Sequence, residues 1–170
     1  MNEATKNLCE RRSIRKFKSD QVPMETLEEI LKCGTYAPSG KSKQSARIVV
    51  VRDRDTIEAI AKVNGSFVNK PGLNPFYEAP TLLIVFADKN VSTYVQDGSA
   101  VIMNMLNAAF SLGVDSCWIH RAKETFETDF GKELMQKWGL DENYEGIGNI
   151  VLGYRDCPLP PAAPRKENYI

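Results

Sequence analysis

The sequence predicts an α+β fold with a sheet packed among helices. Three observations carry that prediction. Apolar β-branched runs and helix-periodic segments are interspersed along the chain. The runs lack the apolar–polar alternation of a half-exposed strand, so both faces of the sheet are covered. The runs are also few for the number of helical segments.

The elements follow in order. Residues 1–9 form a short helix that leads into the basic cluster Glu10-Arg11-Arg12-Ser13-Ile14-Arg15-Lys16-Phe17. Pro23 opens a helix in which Leu27, Ile30 and Leu31 share one face, Glu25 lies in the first turn and Gly34 follows the last. The stretch 36–44 is a polar loop punctuated by Pro38 and Gly40. Ala46 to Arg52 is a strand, and Ile57, Ile60 and Ala61 give helical spacing to residues 53–63. Residues 64–80 hold three prolines and two glycines and read as a loop. Thr81 to Ala87 is a second buried strand. Residues 96–112 form a long helix that is apolar on most sides, as expected of a helix central to its fold or placed in an interface. Ser116 to Ile119 is a short apolar segment with strand character, 126–138 is helical, and 146–154 is a third buried strand. The stretch 156–170 carries four prolines and is expected to be an extended arm without a core of its own.

Composition bounds the function. The 170 residues allow one domain, 1–170, and leave little for a second. Hydrophobic residues at 42% and charged residues at 26% match a globular protein and exclude a disordered chain. Equal counts of 22 basic and 22 acidic residues argue against a nucleic-acid partner. The longest apolar run, 82–87, is too short to cross a membrane, and residues 1–20 lack a signal-peptide core. Cys9, Cys33, Cys117 and Cys157 are widely spaced, which argues against a zinc site and for free thiols in a reducing cytoplasm. The one histidine, His120, excludes a multi-histidine metal site. A Cys117–His120 couple is not expected, because positions i and i+3 of a strand face opposite ways.

Candidate site residues are local clusters. Arg11, Arg12 and Arg15 with Ser13 offer several anion donors within five residues, and Ile14 and Phe17 beside them argue for an anchored segment. By itself the same cluster is the pattern of a solvated basic surface. Gly40, after Pro38 and Ser39, allows another group close to the backbone, although the motif alone is a turn. Arg165 and Lys166 end the proline-rich arm, which is either a disordered tail or a strap delivering two cations to an anion. No GxGxxG and no P-loop is present.

The order of these pieces is more specific than any one of them. The string ERRSIRKFKSDQVPMETLEEILKCGTYAPSGKSKQSARIVVV strongly resembles the opening of the nitroreductase family of FMN-dependent oxidoreductases. DGSAVIMNMLNAAFSLGVDSCWI resembles that family's central helix, and GIGNIVLGYRDCPLPPAAPRKENY its final strand and basic arm. The resemblance implies a three-layer fold, a mostly antiparallel sheet flanked by helices, and an intertwined homodimer with FMN at the interface. It implies that Arg11, Arg12 and Ser13 hold the flavin phosphate and ribityl chain, with Arg15 at the pyrimidine edge. Pro38, Ser39 and Gly40 would cover the ring from the other subunit, with Gln44 near the flavin. Ile119 and His120 stand where a backbone N–H approaches flavin N5, and Arg165 and Lys166 would return to the phosphate. The implied reaction moves hydride from NADH or NADPH through FMN to a small electron acceptor such as a nitroaromatic or quinone. Flavin fragmentation, dehalogenation and non-enzymatic flavin binding are the alternatives on the same fold. Two departures bear on the acceptor. Gln44-Ser45-Ala46 stands where many members have Gln-Pro-Trp, and His120 stands where many have an acidic residue.

Overall fold

A computed structural model of the chain describes residues 1–70 and 72–169. Pro71, within the expected loop 64–80, and Ile170, at the end of the expected arm, lie outside the described residues. The elements run α1 (Glu3–Glu10), α2 (Met24–Thr35), β1 (Ala46–Val51), α3 (Arg54–Ser66), β2 (Thr81–Asp88), α4 (Tyr94–Ser111), β3 (Asp115–Ile119), α5 (Ala122–Glu127), α6 (Asp129–Lys137) and β4 (Tyr144–Gly153). The four strands form one antiparallel sheet in the order β1-β2-β4-β3.

The apolar runs explain this arrangement. From β2, Leu82, Ile84 and Phe86 pack with Ile57 and Ile60 of α3, Phe126 of α5 and Leu134 of α6. Leu83 and Val85 point the other way, into Leu27 and Ile30 of α2 and Ile102 and Met105 of α4. Each such side chain is stabilised by about 1.5–3 kcal/mol on full burial. The result is the expected α+β architecture in three layers, with the sheet in the middle. A bulge in β4 serves this packing. Val85 pairs with Gly148 and Phe86 with Gly146, so Ile147 is an extra residue. Ile147 lies over Gly98 of α4, where a Cβ would sit 2.7 Å from it.

One expectation is corrected. The helical stretch 126–138 is two helices, because Thr128 is extended and caps α6 by accepting the Gly131 N–H at 3.1 Å. A threonine hydroxyl competes with the helical backbone for that donor. Helix α4 carries both buried and exposed apolar positions. Val101, Ile102, Met105 and Leu106 are buried, yet Val95 and Met103 are 42% and 40% exposed within one chain.

The basic cluster is pinned at the β3 margin of the sheet. Ser13 pairs in parallel with Ser116, and the Ile14 N–H donates to the Ser116 carbonyl at 3.0 Å. The buried Ile14 side chain anchors the segment. Phe17 pairs with Arg155, so the same segment holds the root of the C-terminal arm. Asp115, itself buried, accepts the Arg155 side chain at 3.0 Å and its backbone N–H at 3.1 Å. Beyond Asp156 the arm carries no regular element and is mostly exposed. No helix of the described residues is long and apolar enough to cross a membrane.

Candidate active site

Arg11 and Arg12 are half-buried beside β3. Arg12 Nη1 donates to the carbonyls of Cys9 at 2.7 Å and Arg11 at 2.8 Å. The buried Arg11 Nη1 and Arg12 Nε find no partner among the described residues, nor does Ser116 Oγ next to Ser13. Burial pushes the Arg11 guanidinium below its ordinary pKa; Cys117 raises it and the Arg12 charge lowers it further. A desolvated donor without a partner costs about 1–3 kcal/mol, and more when charged. Two adjacent guanidiniums in that condition form a cradle that fits an anion.

A cavity of about 430 Å³ opens beside this cradle. Arg15, Ile119 and His120 line it together, as do Asn64, Tyr77 and Cys117. Its volume lies in the range of ligand pockets. Burial raises the Cys117 thiol; the Arg15 charge, a Ser13 hydrogen bond and the Arg11 charge oppose that. Cys117 thereby connects the cavity wall to the basic cluster. Cys117 and His120 share the cavity because β3 ends at Ile119, so strand alternation does not reach His120. The Cys117 thiol reaches the Trp118 carbonyl at 3.7 Å.

The loop of Pro38, Ser39, Gly40 and Gln44 is built separately. Pro38, Ser39 and Gln44 line another, smaller cavity of about 140 Å³. Ser39 Oγ accepts the Gln44 N–H at 3.0 Å. The buried Asp97 of α4 accepts the Gly40 N–H at 2.9 Å and the Ser45 hydroxyl at 2.7 Å. A Cβ on Gly40 would lie 2.1 Å from Thr93 Oγ1, so only glycine fits. Lys41, Ser42 and Gln44 hold left-handed φ values of 50°, 54° and 48°, a strain that persists because the surroundings fix the loop.

Asp97 makes this loop pH-sensitive. Burial alone would raise its carboxyl, but the hydrogen bonds from Gly40 and Ser45, with the Thr93 hydroxyl nearby, outweigh it and hold the pKa below the ordinary value. A carboxylate lowered in the folded state contributes stability that is complete above about pH 5 and is lost as pH falls through its folded pKa. Asp97→Asn is therefore expected to lower stability by about 1–3 kcal/mol at pH 7. The difference from the parent should shrink toward pH 3 in thermal unfolding; a constant difference would contradict it.

One chain does not bring all the expected residues together. Ser13 pairs outside β3, whereas the Pro38 loop enters β1 at the far margin of the sheet. Those positions are four strand spacings apart, about 19 Å. Arg165 and Lys166 are exposed, and the one Arg165 side-chain hydrogen bond among the described residues is local, to the Ala163 carbonyl at 2.8 Å. Sequence reasoning missed Asn64 and Tyr77, which reach the cavity from the segment read as a loop, and the strained Arg121 at φ 71°. The Pro-rich spacing of 64–80 signals a loop but not which side chain turns inward.

Comparison with known proteins agrees with this geometry. The model of the Nitroreductase family matches residues 8–154. A protein of Archaeoglobus fulgidus, provisionally named NADH dehydrogenase/NAD(P)H nitroreductase, is 34% identical over 161 residues, covering 91% of this chain and 86% of that protein. The crystal structure of a nitroreductase with bound FMN from Bacteroides fragilis superposes with TM-score 0.90 at 28% identity, covering 100% of this chain and 98% of the other. An FMN-dependent nitroreductase from Clostridium difficile superposes with TM-score 0.89 at 26% identity, covering 98% and 97%. The family match spans both the anion cradle and the strained loop, and the chain belongs to the nitroreductase family.

Proposed function

We propose that this chain binds FMN non-covalently between two copies of itself and is an NAD(P)H-dependent oxidoreductase for small electrophilic acceptors. The carrying observation is the pair of half-buried guanidiniums, with Arg11 Nη1 and Arg12 Nε left without partners among the described residues, near a cavity with Arg15 in its wall. A phosphomonoester brings about two negative charges to such donors. When bound, the flavin supplies the hydride chemistry, and the protein supplies binding, orientation and electrostatics.

Under this reading Arg11, Arg12 and Ser13 hold the phosphate and ribityl chain. Arg15 presents a fixed cation to charge that develops in the cavity, which needs no reorganisation during reaction. Ile119 and His120 present backbone to the ring. Pro38, Ser39, Gly40 and Gln44 come from the partner copy, which is consistent with their distance from Ser13 in one chain. The exposed Val95 and Met103 of α4 and the projecting arm supply apolar surface for that partner. Nitroaromatics and quinones are the acceptor classes that fit the family.

Reconstitution with FMN and removal of excess tests the reading. About one flavin per chain is expected, and a ratio near zero overturns it. The arm has its own test. If Arg165 and Lys166 reach the phosphate, Arg165→Ala plus Lys166→Ala weakens FMN binding at low salt and has less effect at high salt, where exposed charges are already screened. Dissociation constants equal to the parent's at low salt would remove both residues from the site.

A further inference from the structure

A polar cluster behind the cavity wall has no part in the roles above. Asn64, Thr125 and Asn149 are fully buried and come from α3, α5 and β4. Asn64 Nδ2 donates to the His120 carbonyl at 3.0 Å and to Thr125 Oγ1 at 3.1 Å. The Thr125 hydroxyl donates to the Arg121 carbonyl at 2.6 Å. Asn149 Nδ2 reaches the His120 carbonyl at 3.5 Å. The Asn64 amide has one sensible orientation. Both groups it faces are acceptors, since the Thr125 proton is committed to Arg121, so its nitrogen must point at them. The Oδ1 atoms of Asn64 and Asn149 find no partner among the described residues. Two amides are therefore buried at a desolvation cost, and their donor sides converge on one carbonyl.

The peptide they hold has a strained neighbour. Arg121 has φ 71° and ψ 20°, the left-handed region that a Cβ disfavours. A half-turn of the His120–Arg121 peptide plane would carry the Arg121 φ into the ordinary negative range. Local backbone preference thus favours the opposite orientation, and the buried donors oppose it. In a trans peptide the C=O and N–H point opposite ways. Holding the His120 carbonyl inward fixes the Arg121 N–H outward, where it donates to no protein group among the described residues.

We infer that Asn64, supported by Thr125 and Asn149, is a positioning residue that keeps the His120–Arg121 peptide turned with its N–H toward the cofactor. The inference rests on the FMN reading, in which the backbone after Ile119 faces flavin N5. An N–H there favours the oxidised ring, whose N5 accepts; a carbonyl there favours the reduced ring, whose N5 carries a proton. Asn64 then sets the flavin potential through the peptide it holds.

The test is the two-electron midpoint potential of the FMN-loaded protein. Asn64→Leu removes the donor and releases the peptide. The equilibrium is expected to move at least tenfold toward reduced flavin, a rise of about 30 mV for a two-electron couple. Thr125→Val keeps shape and removes the second anchor, so it should shift the potential the same way by a smaller amount, and it serves if Asn64→Leu does not fold. In an Arg121→Gly background the Asn64→Leu shift should fall to a third or less, because glycine has no preference for the flipped peptide. Bound flavin at the parental potential in both single variants overturns the inference. So does a shift that is undiminished in the glycine background, which would mark a general structural effect. A parent that binds no FMN overturns the underlying reading instead, and that is seen before any variant is made.

Discussion

Replacing Arg11 and Arg12 together with alanine is expected to weaken FMN binding by about two to four decades. Each guanidinium offers a charge-assisted hydrogen bond of about 1.5–3 kcal/mol, and about 1.4 kcal/mol is one decade. Loss of Arg11 alone should change the flavin-free protein little or with opposite sign, whereas loss of Arg12 also gives up its hydrogen bonds to the Cys9 and Arg11 carbonyls. Burial already works against the Arg11 cation, and its Nη1 and the Arg12 Nε gain nothing from the rest of the chain. Arg11→Met, which keeps the apolar stem, should then leave the unfolding midpoint without FMN unchanged or raised, while lowering the midpoint with saturating FMN. Titration of FMN and thermal unfolding with and without it measure both signs. Parental FMN affinity in the double variant would reduce the cluster to a solvated basic surface.

The second large effect concerns assembly. The cavity beside Arg15 and the loop of Pro38 and Ser39 have separate linings, and Ser13 and that loop lie at opposite margins of the sheet, so the proposed site draws on two chains. A chain with Arg11→Ala plus Arg12→Ala and a chain with Pro38→Glu should each bind FMN poorly as homodimers. Refolded together in equal amounts, half of the dimers are mixed, and each mixed dimer has one site with an intact cradle and an intact loop. About a quarter of all sites should then regain tight FMN binding, by simple statistics of a two-fold assembly. No recovery would show that cradle and loop serve the same chain's site.

Legibility in the sequence followed the range of the interactions. The strands were legible because continuous apolar runs such as Leu82 to Ala87 need no partner to be recognised. Helix α2 was legible from Pro23 and the Leu27–Ile30–Leu31 spacing, and the basic cluster from its density. The order of these motifs carried the family. What failed to show depends on contacts distant in sequence. Asp97 lies within an apolar helix, and its role as anchor of Gly40 and Ser45 appears only when residues 57 and 52 positions apart meet. Asn64 meets His120 across 56 positions. The break at Thr128 turns on one hydroxyl that outcompetes a helical carbonyl, which periodicity does not register. Arg121 in a left-handed turn runs against its own preference, so no propensity rule finds it.

The most direct test of the whole account is a visible absorption spectrum of the FMN-reconstituted protein, freed of excess flavin and kept without oxygen, before and after NADH or NADPH is added. The account predicts about one flavin per chain, bleached by at least one of the two nicotinamides and recovered when a quinone or nitroaromatic is added. A protein that retains flavin yet is left fully coloured by both nicotinamides would contradict the oxidoreductase reading, and a colourless protein would contradict flavin binding itself.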